Sequence, residues 1–303
     1  MIIPKNILVI GSSNTDMVIK THSFPTPGET ILGGRFLMNA GGKGANQAVA
    51  AVRLGGVVTF VGKIGDDIFG KQAVQQLEDE GINVDFVAVD SENPSGVAMI
   101  TVDRKGENSI VVAPGSNGTL SPADFDKAMT KLDESDFVLM QLEIPIQTVE
   151  YIAAKAAERQ KKVILNPAPA AQLSNELLQN LYLITPNETE AELLTGTRVV
   201  DEQSALKAAT QLHNKGVEVV IVTMGSAGAF LFENGHSELI RAPRVDAVDT
   251  TAAGDTFNGA LVVALSEGKS MRESIAFANR AASISVTRMG AQSSVPYRKE
   301  IVN

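Results

Sequence analysis

The stretch that decides the fold is DFVLMQLEIPIQTVEYIAAKAAERQKKVILNPA, which runs from Asp136 to Ala168. Its first and last segments, DFVLMQL and KVILNPA, are short apolar runs that predict buried strands, and residues 146–160 between them have helical periodicity. A strand, a helix and a second strand of these lengths predict a crossover between two parallel neighbours of one sheet. The stretch therefore indicates a parallel α/β fold.

The same alternation continues on both sides of this unit. Other apolar runs that predict strands are NILVIG, VVTFVG, VDFVAV, LYLITPN and VEVVIVTMG. Helical periodicity recurs between such runs at residues 44–54, 67–80, 174–180, 187–195 and 201–215. This order predicts an α/β domain of three layers, in which a mostly parallel sheet carries helices on both faces.

Two segments interrupt the alternation and lack helical periodicity. Residues 17–42 are rich in Pro, Gly and Thr, and residues 95–113 contain the extended runs GVAMITVD and NSIVVAP around the polar turn RKGE. That turn predicts a β-hairpin. We predict that the two segments form one small β-sheet, a lid on an α/β domain made of residues 1–16, 43–94 and 114–303.

Composition limits the classes of function. The chain has 303 residues, of which 44% are hydrophobic and 20% charged, as in folded globular proteins. A net charge of −9 argues against nucleic acid as a partner, and the absence of cysteine excludes disulfides and thiolate catalysis. No signal-like segment or membrane-spanning run is found, so the sequence predicts a cytoplasmic protein without a membrane partner.

In an open parallel sheet, ligands bind beyond the carboxyl ends of the strands, and the stretch VDTTAAGDTFNGALVVAL from Val248 to Leu265 is a candidate site of this kind. Ala252, Ala253 and Gly254 leave backbone N–H groups uncovered at a helix start, where the helix dipole favours an anion. Asp255 in the same turn fits a general base that takes a proton from an attacking hydroxyl. The alternative is that Asp255 caps the helix.

A second glycine-rich segment is MNAGGKGANQAVAA, from Met38 to Ala51. Its glycines, Gly42 among them, allow close approach of a ligand, Lys43 supplies charge and Asn46 supplies an amide. The segment lacks the spacing of a P-loop. The alternative is a glycine-rich helix entry with a solvated Lys43.

Polar residues also follow two predicted strands. Asn14 and Asp16 come directly after the first, and Glu143 follows DFVLMQL. Carboxylates and amides at fixed positions suit a polyhydroxylated ligand. For Asn14 and Asp16, an Asx-type turn is the alternative.

Two further segments suit a phosphorylated ligand. Asn187, Glu188 and Glu190 lie at a predicted helix start, where acids are usually partners of the dipole. The alternative is that Asn187 contacts a phosphate and Glu190 holds Mg²⁺ through water. The glycines of TMGSAGAF, residues 223–230, could pass close to a nucleotide.

Three classes of protein are disfavoured. GSSNTD after the first strand lacks the glycines of a dinucleotide-binding fingerprint. No Gly-x-Ser-x-Gly elbow indicates a serine hydrolase. The lack of a signal-like segment weighs against a periplasmic sugar-binding protein.

Taken together, NAGGKGANQAVAAVRLGG and VDTTAAGDTFNGAL resemble the two signature regions of the ribokinase-like carbohydrate kinases, the phosphofructokinase B type. The similarity extends in order along almost the whole chain, through GSSNTD, SFPTPGET, GDD, MQLEIP, NPAPA, ITPNETEAE and GAQSSVP. Nine such segments in one order are a far more specific signal than any one of them.

This resemblance implies ATP-dependent phosphorylation of D-ribose at its 5-hydroxyl. It makes Asp255 the general base and residues 252–255 the anion hole for the transferred γ-phosphoryl group. It implies that the sugar hydroxyls are bound by Asp255 and by Asn14, Asp16, Gly42, Lys43, Asn46 and Glu143. It places ATP on Asn187, Thr223, Gly225, Ser226, Gly228 and Gly254, with Asn279 near the adenine.

The resemblance also implies two cations and a homodimer joined through the lids. Glu190 belongs to the motif that organises Mg²⁺ through water. An activating K⁺ falls to oxygens of Asp249, Thr251, Ser285, Arg288, Gly290 and Ser294, a set that suits a hard cation. A kinase for 2-deoxyribose, another sugar or a nucleoside, and a non-catalytic sugar sensor, remain alternatives.

Overall fold

The computed structural model describes residues 6–301, which form two sheets and eleven helices. The strands are β1 (Asn6–Ile10), β2 (Asn14–Lys20), β3 (Arg35–Gly41), β4 (Val57–Gly65), β5 (Asn83–Asp90), β6 (Gly96–Val102), β7 (Asn108–Ala113), β8 (Phe137–Met140), β9 (Lys162–Leu165), β10 (Leu183–Ile184), β11 (Val219–Thr223), β12 (Ala229–Glu233) and β13 (His236–Ile240).

The helices alternate with the strands of the larger sheet. They are α1 (Lys43–Arg53), α2 (Ile68–Asp79), α3 (Pro122–Asp126), α4 (Met129–Glu134), α5 (Ile146–Glu158), α6 (Asn175–Gln179), α7 (Glu188–Thr195), α8 (Glu202–Asn214), α9 (Ala253–Ser266), α10 (Met271–Ser285) and α11 (Arg298–Ile301). Short 3₁₀ turns cover residues 115–119, 225–227 and 292–294.

The larger sheet confirms the α/β prediction. Its nine strands follow the order β13-β12-β11-β10-β9-β8-β1-β4-β5. The strands from β5 across to β11 pair in parallel, and β12 and β13 add an antiparallel edge. Consecutive parallel strands need crossovers, and the helices supply them.

Strand β1 lies in the middle of this sheet and shows how both of its faces are filled. Ile7 and Val9 pack with residues of α1, α9 and α10, whereas Leu8 and Ile10 pack on the other face with residues of α5 and α8. All four side chains are fully buried. Burial of each such side chain contributes about 1.5–3 kcal/mol to folding. The sheet is therefore a rigid platform whose loops meet at one edge.

The smaller sheet, called the lid here, follows the order β3-β2-β6-β7. It joins the two helix-free segments in one sheet, as the sequence predicts, and β6 and β7 form the predicted hairpin. Its strand β2 begins at Asn14, which pairs with Gly41 and Gly96. Residues 14–16, predicted to belong to the α/β domain, therefore lie in the lid sheet. Within residues 6–301, no helix has the length and apolar character needed to cross a membrane.

Candidate active site

The start of α9 has an unusual backbone that suits an anion. Ala252 precedes the helix in the left-handed conformation (φ 57°), which is strained for a residue with a side chain and is typical of functional turns. Thr256 makes the first regular helical bond, to the carbonyl of Ala252, and the N–H of Ala253 donates to Thr250. The prediction that Ala253 offers a free N–H is thus wrong, and the donors at this turn are Gly254 and Asp255.

Asp255 does not cap this helix. It is the third residue of α9, is 5% exposed, and its carboxylate faces helix α1. There Oδ2 accepts a hydrogen bond from Asn46 Nδ2 and Oδ1 accepts one from Gln47 Nε2, both at 2.9 Å. The capping alternative is therefore wrong, and the carboxylate is held by two neutral donors beside the turn at the start of α9.

The start of α1 brings a second carboxylate into the same region. Gly42 precedes α1 with φ 87°, and a Cβ there would lie 2.7 Å from the backbone nitrogen of Asn14, so only glycine fits. Glycine offers no side chain to cap the helix. Glu143 takes that role from the loop after β8, because its Oε2 accepts from the Lys43 N–H at 3.0 Å and from Ser12 Oγ at 2.5 Å.

Asn14 lies at the junction of the lid and the α/β domain. Its Oδ1 accepts a hydrogen bond of 2.8 Å from Asn117 Nδ2, and Asn117 is itself held by the backbone of Ser13. Asn14, Asn117 and Glu143 line a cavity of about 490 Å³ together with Val112 of the lid. The position in β2 rules out the Asx-turn alternative. The arrangement presents polar groups and one apolar lid residue to a small ligand.

Four charged side chains interact in this region. Burial, followed by the charges of Glu143 and Asp255, raises the pKa of Asp16 to about 7, against a smaller opposing effect of Lys43. Burial favours the neutral amine of Lys43, but carboxylates led by Asp255 and Glu143 outweigh it and raise its pKa. Lys43 is therefore a partly buried cation that interacts electrostatically with the carboxylates of the site, and the alternative of a solvated Lys43 is wrong.

The residues predicted to hold ATP line a larger cavity of about 1010 Å³ next to the start of α9. Its wall includes Asn187, Thr223, Gly225, Ser226, Gly228, Gly254 and Asn279. Asn279 Nδ2 donates to the Ile240 carbonyl at 2.8 Å. Gly228 has φ 112°, and a Cβ there would lie 2.2 Å from the same carbonyl, so the turn approaches β13 as only glycine allows.

Asn187 and Glu190 form a reciprocal cap on α7. Asn187 Oδ1 accepts from the Glu190 N–H at 2.8 Å, and Glu190 Oε2 accepts from the Asn187 N–H at 2.9 Å. Asn187 and Glu190 therefore have the structural role at a helix start that is usual for such residues. It still leaves the Asn187 Nδ2 and the second Glu190 oxygen for a ligand. Burial raises the pKa of Glu190 despite the hydrogen bond from Asn187 and the charge of Lys43.

Asp249 links the segments predicted to hold a monovalent cation. Its carboxylate accepts from the N–H groups of Thr251 and Gly290, both at 2.9 Å. Burial opposes ionisation, but these hydrogen bonds outweigh it and lower the pKa of Asp249. The Asp249 N–H donates to Val286 just after α10, so the end of that helix, with Ser285, lies beside the loop. Ser294 is fully buried and Arg288 pairs with Glu300.

Sequence reasoning missed several buried polar residues of the site. Gln47 contacts Asp255, and Asn117 holds Asn14. Gln141, Asn166 and Thr185 directly follow β8, β9 and β10 and are buried. That position, a polar residue immediately after an apolar strand, is the signal that could have identified these last three.

Comparison with known proteins places these features in a family. Residues 4–298 match the model of the pfkB family of carbohydrate kinases. A ribokinase from Haemophilus influenzae is 50% identical over 296 residues, which cover 98% of this chain and 97% of the relative. A deoxyribokinase from Salmonella typhi is 38% identical over 292 residues, with 96% and 95% covered.

A solved structure shows the same fold. The structure of Arabidopsis thaliana ribokinase complexed with ribose and ATP has a TM-score of 0.93 and 35% sequence identity, and the match covers 99% of this chain and 97% of that one. The family match and these similarities extend over nearly the whole length. This chain belongs to the pfkB family of carbohydrate kinases.

Proposed function

We propose that the protein is a ribokinase, a phosphotransferase that converts D-ribose and ATP to D-ribose 5-phosphate and ADP. The observation that carries this proposal is the position of the α9 start. The Asp255 carboxylate interacts electrostatically with Asp16, which also interacts with Glu143, while Gly254, the neighbour of Asp255, lines the larger cavity. The similarity to ribokinases over nearly the full length supports the same reaction.

The geometry supports a direct transfer. The Asp255 carboxylate takes the proton from the 5-hydroxyl as the sugar oxygen bonds to the γ-phosphorus of ATP and the bond to the ADP oxygen breaks. The N–H groups of Gly254 and Asp255 stabilise the charge on the transferred phosphoryl group. Ala252 and Ala253 shape this turn. Because the Asp255 carboxylate would lie beside the phosphoryl group and not in contact with it, its position suits a general base and not a phosphate-binding residue.

We assign the sugar hydroxyls and the parts of ATP to the residues that the sequence predicts. Asn14, Asp16, Gly42, Lys43, Asn46 and Glu143 hold the sugar hydroxyls. Asn187, Thr223, Gly225, Ser226, Gly228 and Gly254 hold the triphosphate side of ATP, and Asn279 borders the adenine. Buried amides and carboxylates that need a hydroxyl partner reject a sugar that lacks it, which favours ribose over 2-deoxyribose. The similarity to a deoxyribokinase keeps 2-deoxyribose as the second candidate.

The residues present also fit the two cations. The second oxygen of Glu190 would hold Mg²⁺ through water, and Mg²⁺ supplies charge neutralisation of the ATP phosphates. The Asp249 carboxylate, the Ser294 hydroxyl and the carbonyls of Thr251, Ser285, Arg288 and Gly290 form an all-oxygen set, which suits K⁺. These segments adjoin the α9 turn, so a bound K⁺ would shape the anion hole.

The lid supports a homodimer. Every residue of β7 is exposed, including Ile110, Val111 and Val112, and β7 is an edge strand. An apolar edge of this kind is normally covered, and a second lid of the same chain would cover it. A cytoplasmic location fits an enzyme that takes its phosphoryl group from ATP.

The test is ADP formation by the purified protein with MgATP and, in turn, ribose, 2-deoxyribose, fructose or adenosine, each in K⁺ and in Na⁺. The proposal expects turnover that depends on ribose and is faster in K⁺. Preference for another substrate would contradict the assigned sugar. Equal rates in K⁺ and Na⁺ would contradict the cation site alone.

A further inference from the structure

The Asp255 carboxylate is held by a network of uncharged amide side chains. We propose that Gln47 is a positioning residue, which sets the orientation of this carboxylate for proton transfer. The inference rests on the proposed role of Asp255 as the base. Gln47 belongs to α1, is fully buried, and adjoins Asn46 in sequence. Asn46 holds one oxygen of Asp255 and Gln47 holds the other.

The contacts of Gln47 fix which way its amide points. Its Nε2 donates to Asp255 Oδ1 at 2.9 Å and to Asn166 Oδ1 at 3.0 Å, and its Oε1 accepts from Gln141 Nε2 at 2.6 Å. An ionised carboxylate only accepts hydrogen bonds. A flipped Gln47 would place its oxygen against two acceptors and its NH₂ against the NH₂ of Gln141. One orientation alone satisfies the cluster.

The contacts of Gln141 indicate that this network of amides is arranged to hold Asp255. It is fully buried, and its Oε1 has no hydrogen-bond partner although its Nε2 donates to Gln47. A buried acceptor without a partner is costly, and native structures keep few of them. The side chain lies against Gly11, where a Cβ would sit 2.2 Å from Oε1. Gln141 thus supports Gln47 while its own oxygen remains unpartnered.

The same network reaches the anion-binding turn by a second route. Asn166 Nδ2 donates to the Thr185 carbonyl, and Thr185 Oγ1 donates to Asn258 Oδ1 at 2.7 Å. Asn258 Nδ2 then donates to the carbonyl of Gly254 at 2.8 Å. The base and the anion hole are therefore tied to the same three strand ends, after β8, β9 and β10. Such a frame keeps their relative position constant during the reaction.

The neutrality of Gln47 matters because the surroundings of Asp255 are charged. The charged groups that interact there are Asp16 on the lid, Lys43 on α1, Glu143 after β8 and Glu190 on α7. A cationic donor at position 47 would form an ion pair with Asp255 and compete with Lys43. An amide donor orients the carboxylate without neutralising its charge.

The main test is Gln47→Met, which keeps the length of the side chain and removes the donor. We expect kcat for ribose to fall about 10- to 100-fold, because a hydrogen bond to a charged group is lost at the reacting carboxylate. The KM for ribose should stay within about threefold, because the sugar contacts remain.

Two further variants separate positioning from folding. Gln47→Glu keeps the shape and the acceptor for Gln141 but replaces the donor toward Asp255 with a second carboxylate, so its kcat should fall at least as far as that of Gln47→Met. Ser266→Ala is the matched control, because Ser266 is buried at the other end of α9 and bonds only the Val263 carbonyl. It should lower thermal stability at unchanged kcat.

The outcomes distinguish a failure of the proposed role of Gln47 from a failure of the proposed function. A fall in kcat at unchanged KM for ribose in folded Gln47→Met, with the kcat of the wild type in Ser266→Ala, supports the inference. Folded Gln47 variants with the kcat of the wild type, or with a KM for ribose raised as far as kcat falls, overturn it, even if their melting temperature falls. Absence of turnover with any sugar in the wild type itself would overturn the proposed function, and the role of Gln47 with it.

Discussion

The two sheets of this protein differ in what covers them. The strands of the nine-stranded sheet are covered by helices, and the side chains at their ends interlock around Asp255. The lid has no helix of its own, and all residues of β7 are exposed. The contrast indicates a division of roles. In the proposed function, the α/β domain would fix the reacting groups, and the lid would close over the sugar and contact a second copy of the chain.

The site combines both regions. Asp255 and Gly254 belong to the α/β domain, whereas Asn14 and Asp16 belong to the first lid strand, β2. A sugar bound between these residues would contact both the α/β domain and the lid. Substitutions in the α/β domain should therefore affect the reaction itself, and substitutions in the lid should affect assembly and the response to pH.

Between the two regions, the larger effect on the reaction is expected from Gly254→Ala in the turn at the start of α9. A Cβ at this position meets no atom within 4 Å, so the fold accepts the methyl group. The methyl group would enter the space of the transferred phosphoryl group, and we expect kcat to fall about 100-fold. The melting temperature should be equal or higher, because alanine restricts the unfolded chain. Wild-type kcat in this variant would break the assignment of the anion hole.

The next effect concerns the lid edge and has a matched control. Val111 on β7 and Val200 before α8 are equally exposed, at 68% and 69%. In Val111→Lys, a charge on the edge strand should prevent pairing of two lids, so that sedimentation gives the mass of one chain in place of two. Val200→Lys should keep the mass of two chains. Equal masses for both variants would show that the lid edge is not the dimer contact.

The smallest effect concerns Asp16, whose pKa is raised to about 7. In the unfolded chain the carboxyl loses its proton near pH 4, so the folded state holds one more proton between about pH 4 and pH 7. The free energy of unfolding of the sugar-free protein should therefore decrease as the pH rises through that range.

Asp16→Asn removes this contribution. Melting curves of the two proteins between pH 5 and pH 8.5 should show the variant gaining about 2–6 °C relative to the wild type toward high pH. Curves that stay parallel across the range would show that Asp16 is ionised throughout.

The sequence predicted the periodic elements well because both faces of the larger sheet are buried. Helix α5 covers Ile146–Glu158 where residues 146–160 were predicted, and α8 covers Glu202–Asn214 where 201–215 were predicted. The hairpin of β12 and β13 was missed, since a short apolar run gives no sign of antiparallel pairing. The start of the lid at Asn14 was missed because it depends on pairing with Gly41 and Gly96, which are distant in sequence.

The sequence predicts candidate site residues where they belong to a recognisable motif, but not where only a long-range contact brings a residue into the site. Asp255 and Asn46 stand in recognisable glycine-rich segments, and the structure brings them to 2.9 Å. Gln47 stands in the same segment but looks like any polar helical residue, and only the fold shows its side chain against a carboxylate far along the chain. Long-range hydrogen bonds of this kind leave no local pattern.

The most direct test of the central claim compares the wild type with Asp255→Asn, measuring ribose-dependent ADP formation and, by calorimetry, ribose binding. If Asp255 is the base, kcat falls about 10²- to 10⁴-fold while ribose still binds with similar affinity. Turnover close to that of the wild type would contradict the claim. So would a loss of ribose binding as large as the loss of turnover, since Asp255 would then only hold the sugar.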